Sequence, residues 1–201
     1  MHATRPITLH AWQQGENYER RTGWHGSSPE FGDITVLFPR ATHSSRTLMS
    51  EVRGTVIPSA SYSSTGLHSQ VMSLPGLNGA RLEVGDRSVR IRRNRWGLTR
   101  RGRSLRMEHA QDAYRLTAIS RRQYMLTRER DAEDPGVTIT VKQTGIGKGK
   151  RLTVSVTGDA QGADITLAVL FGAVDRAPLT RGGAVRASLS RSFAFYAESQ
   201  S

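Results

Sequence analysis

The stretch GADITLAVLFGAVDRAP (Gly162–Pro178) decides the fold. Its central part, Ile165–Val174, would carry apolar groups on every side of a helix. A helix that is apolar all round is a buried helix. Asp164 stands where an N-cap residue belongs, and Pro178 follows just beyond the expected end. The run is too short to span a bilayer, which takes about 20 residues. A helix over 164–175 therefore needs a protein interior built around it.

That interior is supplied upstream, by strands. From Ala80 onward the chain alternates: ARLEVG, SVRIRR, RSLRMEH, AYRLTAIS, QYMLTRER, VTITVKQ and RLTVSVT. Val89 and Ile91 fall on one side with Arg90 and Arg92 on the other; Leu105 and Met107 oppose Arg106 and Glu108. Period-2 alternation marks a sheet with one buried and one wet face. Short polar connections between closely spaced strands argue an antiparallel barrel or sandwich. The expected architecture is mainly β: an antiparallel β-barrel around a buried hydrophobic C-terminal helix. The tail AVRASLSRSFAFYAESQ (Ala184–Gln200) alternates as well and is expected to supply a closing strand.

The first part of the chain is less regular. Residues 1–33 are mixed and polar, with Trp12, Tyr18 and Trp24 among glycine and charge. DITVLFPR reads as a strand closed by Pro39, and RTLMSEVRGTVIP as two short strands around Gly54. Ser59–Gly79, rich in serine and glycine, reads as a mobile loop. The chain thus divides into residues 1–79, strands and a Ser/Gly-rich loop that form part of the barrel or pack on it, and residues 80–201, the barrel core with its helix.

A β-hairpin followed by KGKRLTVSVTGDAQGADITLAVLFGAVD (Lys148–Asp175) resembles the C-terminal signature of the tubby-like superfamily, which includes tubby, LURP-one-related proteins and phospholipid scramblases. The features that carry the resemblance are the strand Leu152–Val156, Asp164 opening the helix, the apolar run and Asp175 ending it. YRLTAISRRQYMLTRERD resembles the family's paired middle strands. The resemblance covers Ala80–Phe195 and implies a barrel of about twelve strands around a central helix. Tubby binds phosphoinositide headgroups through basic barrel residues. Scramblases use a calcium segment and palmitoylated cysteines, neither of which is found here. Bacterial members have mostly no known biochemical role, so the resemblance to a bacterial-type member implies fold more than function.

Charge is the strongest functional signal. The net charge is +12, with arginine outnumbering lysine 26 to 3. The arginine bias reflects a GC-rich genome, but the net charge still attracts anionic partners in a salt-dependent way. RSVRIRRNRWGLTRRGRSLR (Arg87–Arg106) holds nine arginines and no acid. Strand parity turns Arg90, Arg92 and Arg106 outward together, while Arg93, Arg95, Arg100, Arg101 and Arg103 crowd the connecting loop beside Trp96. Guanidinium forks suit phosphates and an indole suits stacking. A merely solvated face would mix signs. TGIGKGKR adds Lys148 and Lys150 to a basic rim; a strand follows its glycines where a phosphate loop needs a helix, so it reads as a hairpin loop.

Other chemistry finds little support. The chain has no cysteine, which excludes thiol nucleophiles, Cys-ligated zinc and iron–sulfur clusters and suits a reducing cytosol. The six histidines form no H-x-H or H-x-x-x-H pair with a nearby carboxylate, ERDAEDPG lacks the pattern of a calcium loop, and no G-x-S-x-G elbow is found. The sequence reading therefore assigns no catalytic residue, no metal and no cofactor. The N-terminus shows no signal peptide and the chain no transmembrane segment, so a cytoplasmic location is expected. The leading expectation is a non-catalytic binding or scaffold domain whose basic surface meets a phospholipid headgroup, nucleic acid or an acidic protein. The alternatives are a structural subunit docked through residues 1–79, or an enzyme with a small-molecule site. A helix filling the barrel leaves the latter little room.

Overall fold

A computed structural model of the protein describes residues 5–15, 20–39, 47–65, 74–94, 99, 102–129 and 136–180. Twelve strands follow in order: β1 (Ile7–Gln14), β2 (Arg21–Ser28), β3 (Gly32–Leu37), β4 (Thr47–Gly54), β5 (Ala60–Thr65), β6 (Ala80–Val84), β7 (Arg87–Arg93), β8 (Leu105–His109), β9 (Asp112–Ala118), β10 (Gln123–Arg128), β11 (Val137–Thr144) and β12 (Arg151–Thr157). Each pairs antiparallel with its neighbour in sequence, and β1 closes the barrel on β12, with Ile7 opposite Val154 and Leu9 opposite Leu152. Closure leaves no strand edge unpaired. The partner of β12 is thus the first strand; the tail expected to close the barrel lies outside the described residues.

The alternation read from the sequence becomes the barrel's inside and outside. Leu105, Met107, Leu116, Leu126, Ile139 and Val154 are buried, while Arg106, Glu108 and Lys142 point to water. The inner residues close on the helix α1 (Gly162–Leu170), in which every residue from Ile165 to Leu170 is fully buried. It touches β4, β5 and β6 on one side and β10 and β11 on the other, so it runs through the lumen. Tyr62 of β5 meets Phe171 edge to face at 5.7 Å, and Tyr124 of β10 donates its hydroxyl to the Ala168 carbonyl at 2.6 Å.

Four expectations are corrected. The helix begins at Gly162 and ends at Leu170, continuing as a 3-10 turn over Phe171–Ala173, where 164–175 was expected. Gln161 is the N-cap and Asp164 occupies N3, its Oδ2 accepting the Gln161 N–H at 2.8 Å, a capping box. Arg46–Pro58 holds one strand ending at Gly54, not two around it. The serine-rich stretch from Ser59 begins as a barrel strand, β5, with Ala60, Tyr62 and Ser64 inward. Residues 66–73 of that stretch lie outside the described residues.

Because all hairpins are sequential, the connections after odd-numbered strands leave at one end of the barrel and those after even-numbered strands at the other. The helix enters the lumen from the second end and finishes at the first, where Asp175 N–H bonds the Pro75 carbonyl between β5 and β6.

Candidate functional site

The arginine-rich segment builds β7, its connection and β8. Val89, Leu105 and Met107 are buried and Ile91 packs against the core, which leaves Arg90, Arg92 and Arg106 exposed on the outer wall. The register then sorts them. Arg90 lies opposite Glu108, with 3.6 Å between Nη1 and Oε2; both side chains are mostly exposed, so the pair is worth less than about 1 kcal/mol. Arg92 lies directly opposite Arg106, and Arg106 directly opposite Arg115 of β9. Arg115 is held by Glu129, while Arg92 and Arg106 have no ion-pair partner among the described residues. Like charges directly opposed across strands cost roughly 0.2–1 kcal/mol, a cost that an anion laid across the two guanidinium groups would relieve.

Other predicted site residues part company with this wall. Arg93 has the inward parity of Val89 and Ile91 and donates to the Pro178 carbonyl at 3.3 Å. Arg103 is buried in the connection before β8. These two face the fold and do not join the exposed surface. Lys150 is exposed beside the 3-10 turn Gly147–Gly149, in which Lys148 lies; the Lys148 side chain, like Arg95, Trp96, Arg100 and Arg101, is outside the described part.

The topology gathers further charge that strand parity alone does not reveal. Among the described residues, the segments joining strands at the first end carry Arg20, Arg103, Arg121, Arg122, Lys148 and Lys150 and no acid. Those joining elements at the second end carry Glu30, Asp86, Glu129 and Asp159 and no Arg or Lys. We call these the basic and acidic ends. Arg20, Arg121 and Arg122 are exposed at the basic end, and Arg92 and Arg106 continue it down the wall. Sequence reasoning passed over Arg20, Arg115, Arg121 and Arg122; the available signal was that every second hairpin turn of a sequential barrel emerges on one side.

The lumen holds one buried arginine toward each end. Near the acidic end, Arg128 Nε lies 3.3 Å from Asp164 Oδ1 and its Nη2 donates to the Asp159 carbonyl at 2.9 Å. Burial raises the pKa of the Asp164 carboxyl, opposed by the Gln161 N–H, the Tyr114 hydroxyl and the Arg128 charge. Burial likewise raises the Tyr114 phenol, with the Asp164 charge next in importance. At the basic end, Arg176 stacks 4.2 Å over the Tyr124 ring and donates to the Val174 carbonyl at 3.1 Å. Burial lowers its pKa, but a guanidinium remains a cation. An acid near the helix N-terminus and a cation beyond its C-terminus both complement the helix dipole.

Among the described residues no helix is long and apolar enough to cross a membrane, and no group of three or more His, Cys, Asp or Glu could hold a metal ion. No protein-family model, no curated protein and no solved structure matches the chain.

Proposed function

We propose that the chain is a non-catalytic binding domain of tubby-like architecture, whose basic end and adjoining β7–β9 wall meet an anionic partner rich in phosphate or carboxylate. The carrying observation is the segregation of charge among the described residues: the connections of one end carry Arg20, Arg121, Arg122 and Lys150 exposed and no acid, and those of the other carry Glu30, Asp86, Glu129 and Asp159 and no Arg or Lys. A barrel merely solvated by charge would mix signs at both ends. The opposed, acid-free guanidinium groups of Arg92 and Arg106 favour the same reading, because an anion bound across them would relieve their repulsion and accept from both. The helix that fills the lumen argues against a small-molecule enzyme site inside the barrel.

The test replaces Arg92, Arg106, Arg121 and Arg122 with glutamine and assays binding to DNA, RNA and anionic liposomes at about 50 mM salt. The expected result is lost binding with an unchanged melting temperature. On duplex DNA, wild-type log affinity should fall with log salt by about 0.9 per phosphate contact. A wild type that binds none of the three would overturn the proposal.

A further inference from the structure

The six histidines are scattered in sequence, but the barrel register brings two of them together. His10 of β1 lies directly opposite His25 of β2, and both side chains are exposed on the outer wall. Directly opposed residues of an antiparallel pair hold their Cβ atoms about 4.5–5.5 Å apart. Two imidazole rings at that separation can converge on one ion at the usual N–metal distance of about 2.0–2.1 Å.

A second observation concerns the orientation of one ring. His25 Nδ1 lies 3.0 Å from Thr35 Oγ1 on β3. With Nδ1–H donating to that hydroxyl, Nε2 carries the free lone pair and is the nitrogen available to a metal. Metal-binding histidines usually donate their second ring N–H to a carboxylate, backbone carbonyl or water; here a hydroxyl stands in that place. The backbone beneath is tightly placed: a Cβ at the neighbouring Gly26 would lie 2.5 Å from the Thr8 carbonyl oxygen of β1. The two ligands therefore stand on closely packed strands and not on loops, as a preorganised site requires.

We propose that His10 and His25 form an open, two-imidazole site for a late first-row divalent ion of the Zn2+, Ni2+ or Cu2+ class. Imidazole nitrogen suits these ions, whereas calcium and magnesium need oxygen donors. The remaining coordination positions are left to water or to an anion. An anionic ligand is favoured by Arg151, which lies opposite His10 on its other side. The same guanidinium repels the metal, so this is a weak, exchangeable site and not a structural one. It is independent of the proposed anion surface.

The test titrates the untagged full chain with Ni2+ by calorimetry and, separately, follows broadening of histidine ring signals by Cu2+ in NMR. Wild type should take up one ion, with broadening confined to two rings. H10A and H25A should each weaken Ni2+ binding at least about tenfold. T35V, which removes only the hydroxyl that orients the His25 ring, should weaken it less. A variant lacking His2, His43 and His68 should bind as wild type does. The proposal is overturned if wild type takes up no Ni2+ at about 1 mM, or if H10A and H25A bind unchanged.

Discussion

Two pairs of arginines show how one residue type serves two ends in this barrel. Arg92 and Arg106 face water, oppose each other and meet no acid among the described residues. Arg128 and Arg176 lie inside, 5% and 7% exposed, and each is tied to helix-flanking backbone or a carboxylate. On the wall a guanidinium costs little to leave unpaired because water screens it. In the lumen it must be satisfied, and the groups that satisfy it flank the two ends of the helix. Charge on the wall is therefore free to serve a partner, whereas charge in the lumen is committed to the fold.

Substitutions at the two places should differ accordingly. R128M removes the cation from a buried pair and leaves Asp164 without it, so unfolding free energy in urea should fall by about 3–5 kcal/mol. Adding D164N in that background should recover part of the loss, since the orphaned charge is gone. If R128M alone proved neutral, the contrast between lumen and wall would collapse. The wall pair should behave oppositely: R92Q/R106Q should change stability by no more than about 0.5 kcal/mol, and in the stabilising direction, because two opposed like charges are removed. A large loss there would mean the wall arginines hold the barrel together.

The smallest effect concerns His109, which closes β8 with its side chain inward. Burial first, then the Arg87 charge, lowers its pKa, against the pull of Asp112. A folded-state pKa below the unfolded one gives a contribution that is complete above the ordinary histidine value of about 6.5 and is lost as pH falls from there through the lowered folded-state value. Thermal unfolding across that interval should show wild type losing stability on acidification more steeply than H109Q. Parallel curves would show that the imidazole titrates alike in both states.

The strands from Ala80 to Thr157 were legible because apolar and charged residues alternate there with full contrast. β5 was not, since Ser61, Ser63 and Ser64 carry no hydropathy contrast, and the inward Ser64 accepts the Gly76 N–H through its hydroxyl. β2 was hidden by its glycines, which read as turn residues. A Cβ at Gly23 would lie 1.8 Å from the Val36 carbonyl oxygen, so this strand needs glycine to approach β3. Of the candidate site, parity disclosed that Arg90, Arg92 and Arg106 share a face. It could not disclose that register gives Arg90 an acid and Arg106 two arginine neighbours, or that the strand runs on to Arg93, whose parity then turns it inward. The separation of basic and acidic ends is a property of topology, invisible until the order of strands around the barrel is known.

Closure of β1 on β12 has a consequence for how the chain is made. Residue 7 must wait for residue 154 before its outer edge is paired, and the helix that fills the lumen is made later still. At synthesis rates of about 5–20 residues per second, the nascent sheet spends on the order of ten seconds as an open, unplugged curl. Its apolar inner face is then uncovered and both edges can pair with another chain. The pairing that makes the finished barrel edgeless is thus the last that can form, and the hazard for this protein lies in its birth and not in its native state.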